Sequence, residues 1–165
     1  MPKNTIFLAL VFAMIQSSVL AHESLSPQDF AREAAISNTF ELEAAQLAVE
    51  RANDPRAVSF AKDMVRDHGR AATDLAEAAK TDAVRFTSQL DERRKKQLDA
   101  LVGAAETDFD QAYFSTQVTA HEETVTLFDT FAKSGNAGAL KTFAQKTLGT
   151  LHMHNVRVHD LTDQE

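Results

Sequence analysis

Cysteine is absent from the 165 residues of this chain. Its absence excludes disulfides, thiolate metal sites and lipid attachment through a cysteine, so packing must hold the fold, alone or with a metal bound by histidine and carboxylate. Positive charge is also scarce, because 24 acidic residues stand against 17 basic ones, and the basic ones are scattered. Nucleic acid is therefore not an expected partner.

The N-terminal 21 residues have the pattern of a secretory signal. Lys3 supplies the positive start, residues 6–15 are an unbroken apolar run, and the segment ends in small residues suited to cleavage after Ala21. The run is too short for a permanent membrane span, although an uncleaved N-terminal anchor is an alternative. We expect export to the periplasm, with outer-membrane association left open, and one domain over residues 22–165, without an integral membrane segment.

Helical periodicity and chain breakers predict an all-α fold. Apolar residues recur every three or four positions over about residues 26–53, 55–80, 106–133 and 139–160. Asn53-Asp54-Pro55 and the turn at residues 134–138 each join two of these helices as antiparallel neighbours. Residues 81–90 lack a helical period, and a short helix is expected at about 91–102. These features predict an antiparallel four-helix bundle with a short extra helix before the third main helix.

Four polar residues interrupt the apolar faces near the middle of these helices. They are Glu41, His68, His121 and His154. Because imidazole and carboxylate are ligands shared by zinc, copper and iron, the four could surround one such ion. Other polar residues near them could orient the imidazoles or act as alternate ligands. These are Asp67, Asp110, Tyr113, Gln117 and Glu122.

A hydrogen-bonded layer without metal is the alternative reading of the same residues. Such a layer would fix the register of the helices, because a mispaired arrangement would bury unsatisfied polar groups. The expected donations are from His121 to Glu41, from His154 to Gln117, and from His68 to Tyr113 or Asp110. His152 and His159 fall outside the apolar stripe, and we expect both to be exposed.

Several segments, in this order, resemble the bacterial family called domain of unknown function 4142. They are Glu41-Leu42-Glu43, the stretch 60–68, Phe109-Asp110-Gln111-Ala112-Tyr113, Gln117-Val118, Ala120-His121-Glu122, Phe143-Ala144, Thr147-Leu148 and the stretch 151–154. The resemblance implies a ferritin-like four-helix bundle exported to the periplasm and often labelled an outer-membrane protein, without a demonstrated activity. Gly149 departs from the family pattern, which usually has proline there.

Ferritin chemistry does not follow from that resemblance. The usual di-iron bundle uses two Glu-x-x-His pairs, and here Val65, Val118 and Leu151 stand three residues before the histidines. A classical di-iron ferroxidase is therefore disfavoured, and no enzymatic motif is present. Two function classes remain. In the first, the protein sequesters or buffers one transition metal in the periplasm, and redox chemistry at that metal is an open alternative. In the second, it is a non-catalytic envelope protein that contacts another envelope component or its own copy.

Overall fold

The computed structural model describes residues 25–163, which form five α-helices. They are α1 (Pro27–Arg51), α2 (Pro55–Thr81), α3 (Glu92–Val102), α4 (Phe109–Ser134) and α5 (Ala139–Thr162). Within residues 25–163 no strand occurs, so the predicted all-α class is confirmed. The largest shift in a helix boundary is at α4, because residues 105–108 form a turn before Phe109. The predicted signal, residues 1–21, lies outside the described residues.

Side-chain caps fix where the first two helices begin. The hydroxyl of Ser26 accepts a 3.1 Å hydrogen bond from the backbone N–H of Asp29, and Pro27 occupies the first turn. The carboxylate of Asp54 accepts in the same way from the N–H of Arg56 at 2.7 Å. Each cap satisfies an N–H group that has no partner inside the helix, and proline loses nothing there because its own N–H would be unused.

Two aspartates tie helix ends to distant parts of the chain. Asp110, at the start of α4, accepts hydrogen bonds from the backbone N–H groups of Asn53 and Asp54 in the α1–α2 link. Asp82, just after α2, accepts from the first two N–H groups of α5 at 2.9 and 2.8 Å. The cap residue of α5 is Gly138, which has no side chain, so Asp82 supplies the carboxylate that a helix N-terminus favours.

The long helices contact one another in a ring. α1 packs against α2 and α4, α5 packs against the same two helices, and α3 lies against α1 and α4. Two apolar cores result. The first core is built around Phe30, Leu75, Phe128, Phe131, Phe143 and Leu151. The second core is built around Ala44, Phe60, Met64, Phe109, Phe114 and Val158. Every long helix contributes to both cores.

The connection between α2 and α4 crosses from one core to the other. The C-terminal part of α2 contributes Leu75 and Ala79 to the first core, whereas Phe109 at the start of α4 lies in the second core. The connecting residues and α3 must therefore travel along the length of the helices. Among residues 25–163, no helix combines the length and the apolar character that crossing a bilayer requires.

Candidate metal centre

Each long helix places one buried ionisable residue in the interval between the two cores. These residues are Glu41 on α1, His68 on α2, His121 on α4 and His154 on α5, with exposed fractions of 0%, 3%, 0% and 3%. Along its helix, each of the four residues lies between a residue of the first core and a residue of the second core. Buried ionisable groups cost free energy unless something compensates them, so their partners decide what the cluster can do.

The three imidazoles form a nearly equilateral triangle. Ring centroids are 5.7 Å apart for His68 and His121, 5.8 Å for His68 and His154, and 5.6 Å for His121 and His154. One nitrogen from each ring lies within 4.8 Å of the other two. Such nitrogens are at most roughly 2.8 Å from a common centre, against about 2.0–2.1 Å for a zinc–nitrogen bond. Movements below about 1 Å would therefore close the three rings on one ion.

The hydrogen bonds of His121 define which of its nitrogens is free. Its Nδ1 lies 3.1 Å from the backbone carbonyl oxygen of Gln117, which can only accept, so Nδ1 carries the proton and donates. Nε2 therefore carries the lone pair, and this buried atom has no hydrogen-bond partner. Glu41 Oε2 is also 3.1 Å from Nδ1, but the single N–H is directed at the carbonyl, so Oε2 accepts no hydrogen bond.

His68 and His154 show the same division between a held nitrogen and a free one. His68 Nδ1 donates to the side-chain oxygen of Asn38 at 3.0 Å, and His154 Nε2 donates to Asp67 Oδ2 at 3.1 Å. The hydrogen bond from Arg66 holds the pKa of Asp67 below its ordinary value, so that carboxylate can only accept. The remaining nitrogens, His68 Nε2 and His154 Nδ1, are buried without a partner.

Glu41 is held by one oxygen and free at the other. Its Oε1 accepts a 2.8 Å hydrogen bond from the hydroxyl of Thr124. Its Oε2 is 3.7 Å from His68 Nε2 and has no hydrogen-bond partner. The cluster thus contains four buried acceptors, namely one carboxylate oxygen and three imidazole lone pairs, and no donor between them. Each buried acceptor left without a partner costs about 1–3 kcal/mol, so a cation or a hydrogen-bond donor placed among the four atoms would stabilise the cluster.

Burial sets the protonation state of the cluster. Removal from water is the main cause that lowers the pKa of His68 to about 4 and that of His121 to about 3. The same desolvation raises the pKa of Glu41 above its ordinary value. The two imidazoles are therefore neutral at pH 7, which is the form that binds metal ions.

The structure brings some of the predicted orienting residues to the cluster and not others. Asp67 holds His154, and Gln117 holds His121 through its backbone carbonyl. Both polar atoms of the Gln117 side chain are buried without partners, as is the hydroxyl of Tyr113 in the second core.

Asp110 and Glu122, by contrast, do not reach the cluster. Asp110 precedes His121 by eleven residues, which is about 16 Å along a helix, and it caps the α1–α2 link. Glu122 projects about 100° away from His121, is 57% exposed and pairs with His159 at 3.1 Å.

Of the hydrogen-bonded layer expected as the alternative, His121 and Glu41 do lie in contact, at 3.1 Å, whereas the other two expected pairs do not form. His154 contacts Asp67 rather than Gln117, and His68 contacts Asn38 rather than Tyr113 or Asp110. His152 is exposed as predicted, whereas His159 is partly exposed.

Asn38 and Thr124 contact the cluster but were not predicted from the sequence. Each lies three residues from a cluster residue, Asn38 before Glu41 and Thr124 after His121. Residues three apart share a helix face, so that spacing was the available signal.

Residues 25–163 thus define an all-helical protein with a buried cluster of three histidines and one glutamate. The chain belongs to the family described as Domain of unknown function (DUF4142), whose sequence pattern matches residues 15–161, and the resemblance noted from the motifs is confirmed. The chain matches no curated protein and no solved structure.

Proposed function

We propose that this protein binds one transition-metal ion between its four long helices and serves to sequester or buffer that metal. The observation that carries the proposal is the set of four buried acceptors without a donor: Glu41 Oε2, His68 Nε2, His121 Nε2 and His154 Nδ1. A cation among the three imidazoles would compensate their lone pairs, and the Glu41 carboxylate, 3.7 Å from His68 Nε2, would balance its charge. Three imidazoles and one carboxylate suit zinc, copper or iron.

The hydrogen-bond partners of the other nitrogen of each ring support metal binding over a register-fixing layer. In protein metal sites, a ligating histidine usually donates its other N–H to a carboxylate, a backbone carbonyl or water. Asp67 and the carbonyl of Gln117 are acceptors of this kind for His154 and His121, and the amide oxygen of Asn38 takes the corresponding place beside His68. In a layer without metal, protonation of Glu41 would supply a single donor and leave at least two of the three lone pairs unsatisfied.

We further propose a ferritin-like antiparallel four-helix bundle around the site. The ring of helix contacts and the connection that crosses from the first core to the second are consistent with that topology. The cluster offers one carboxylate, Glu41, so we expect a single-metal centre rather than a di-iron one. The predicted signal fits a protein that handles its metal in the periplasm.

Elemental analysis of protein purified from the periplasm without a histidine tag tests the proposal. We expect about one metal ion per chain and a lower melting temperature after chelation, since a ligand bound only by the folded state stabilises it. The His121→Ala variant should bind metal at least tenfold more weakly, whereas His152→Ala, which alters an exposed histidine on α5, should not. Sub-stoichiometric metal, together with a melting temperature that chelation does not change, would contradict metal binding.

A further inference from the structure

A cavity of about 150 Å³ adjoins the histidine cluster. The cluster side of its lining includes Glu41, His68 and His154, three residues with unpartnered buried atoms. Its outer side includes the exposed residues Arg70, Asp74 and Lys146, so the cavity joins the cluster to the protein surface between α2 and α5. A small molecule could therefore reach an ion held by the cluster.

The walls between cluster and surface have an apolar part and a polar part. The apolar part is formed by Ala34, Ala71, Leu75, Phe128, Phe143 and Leu151, and the polar part by Asn38, Asp67, Thr124, Thr147 and Thr150. An engineered apolar cavity of about 150 Å³ holds benzene, so a single aromatic ring or a chain of a few carbons fits this space. The occupant should then have an apolar body that covers the phenylalanine side chains.

The charges at the mouth favour an anion. The side chains of Arg70 and Lys146 make no ion pair or hydrogen bond within the part of the chain that the structure describes, and neither does Asp74. The mouth therefore carries one net positive charge, in a protein whose overall formal charge is −7. Such a local excess raises the concentration of small anions at the entrance.

The charge inside the site also favours an anionic ligand. Asp67 is neutralised by Arg66, whose guanidinium donates to it at 2.8 Å. A divalent ion held by three neutral imidazoles and the Glu41 carboxylate would leave one net positive charge in a buried site. An uncompensated buried charge is costly, and one monoanionic ligand on the cavity side would remove it.

We infer that the cavity is the binding site for a small monocarboxylate with an apolar body, which places its carboxylate at the metal and its body against Phe128 and Phe143. The inference rests on the metal binding proposed above. It assigns a second ligand to the centre and makes Arg70 and Lys146 the residues that attract it.

The test uses the mature chain loaded with zinc, and calorimetry with benzoate as the probe. Benzoate should bind one per chain, at least tenfold more tightly to the zinc-loaded protein than to the apo protein. Benzamide has the same shape without the charge, and phosphate has charge without an apolar body, so both should bind at least tenfold more weakly than benzoate. Equal binding of benzoate and benzamide, or no benzoate binding to a protein that holds one zinc, would overturn the inference.

Two variants locate the binding. Ala71→Phe fills the cavity and should abolish benzoate binding while the zinc content stays at one per chain. Arg70→Gln with Lys146→Gln, both on the surface, should weaken benzoate binding about threefold to tenfold, whereas a control that removes two other exposed charges from α2, Lys62→Gln with Lys80→Gln, should not. Unchanged binding in the Arg70 and Lys146 double variant would overturn the assigned location even if the Ala71 variant did not fold.

Zinc content, measured on every sample, separates the two proposals. A wild-type protein that takes up no zinc, copper or iron would refute the proposed function and this inference with it. A protein that holds zinc and ignores benzoate would refute this inference alone.

Discussion

The hydroxyl of Thr124 donates a 2.8 Å hydrogen bond to Oε1 of Glu41, which leaves the other carboxylate oxygen free beside the histidines. Since the only hydroxyl proton of Thr124 is used in that bond, the 2.9 Å contact between Thr124 and Ser37 must be a donation from Ser37. Ser37 in turn accepts from the guanidinium of Arg94 at 3.4 Å. A chain of donors thus leads from α3 to the carboxylate and fixes its orientation.

Replacement of Thr124 by valine should lower metal affinity by about tenfold, the lower end of the effect usual for residues that orient metal ligands. Valine keeps the shape of threonine but cannot donate, so Glu41 would lose the bond that holds Oε1. Competition with a chelator of known affinity measures the change. Thr126→Val is the control, because that hydroxyl is exposed and bonds only to a carbonyl of its own helix. Equal affinities of the Thr124 and Thr126 variants would show that the hydrogen bond does not matter for metal binding.

The sequence was sufficient to predict the helices. Caps and breakers such as Ser26-Pro27 and Asn53-Asp54-Pro55 depend on local backbone chemistry, which a short stretch of residues determines. The polar residues at the middle of each helix could also be predicted, because each of them interrupts apolar residues that recur every three or four positions.

The partners of the histidines could not be predicted in the same way. Asp67 was expected to orient one of the imidazoles, but the sequence did not indicate which, and in the structure it contacts His154 on another helix. That contact depends on the rotation of α2 and α5 about their own axes, which the packing of both cores sets. Asp110 is a second residue whose partner could not be predicted. It shares a sequence motif with Tyr113, but its carboxylate accepts a hydrogen bond from the α1–α2 link, which is distant in sequence.

Removal of the Asp67 carboxylate should weaken metal binding about tenfold or more. Asp67 fixes the proton of His154 on Nε2, so in Asp67→Ala the ring could turn or carry its proton on Nδ1 instead. Asp63→Ala is a stricter control one turn earlier on α2, because that carboxylate pairs with Arg157 and shares Arg66 with Asp67 but contacts no histidine within residues 25–163. A chelator titration of both variants measures the effect, and comparable affinities would rule out an orienting role for Asp67.

The apo protein should lose stability as the pH falls from about 6.5 to about 4.5. Burial lowers the pKa of His68 to about 4 and of His121 to about 3, so in this range the unfolded chain takes up protons on these residues that the folded chain does not. Glu41 acts in the opposite direction because its pKa is raised, but two imidazoles outweigh one carboxyl. Urea unfolding at several pH values measures the slope.

Two variants separate these contributions to the pH dependence. Glu41→Gln should make the loss of stability toward acid steeper, because it removes the group that opposes the histidines. His121→Phe should make it shallower, and His152→Ala should leave it unchanged. The range stops at about pH 4.5, because the lowered pKa values of Asp54, Asp63, Asp67 and Asp91 add further losses below it. A pH-independent unfolding midpoint over this range would contradict buried, neutral histidines.

Gly149→Ala should stabilise the protein by about 0.5–1 kcal/mol, the usual advantage of alanine over glycine inside a helix. α5 runs without a break through Gly149, and a Cβ atom added there would meet nothing within 4 Å. Gly135→Ala is the contrasting variant, because its Cβ would lie 2.5 Å from the carbonyl oxygen of Phe131 and should destabilise the protein. Thermal and urea unfolding measure both. Since Gly149 is five residues before His154 and faces about 140° away from it, metal affinity should stay unchanged in Gly149→Ala, and a loss of affinity would mean that a flexible α5 is needed to bring His154 onto the ion.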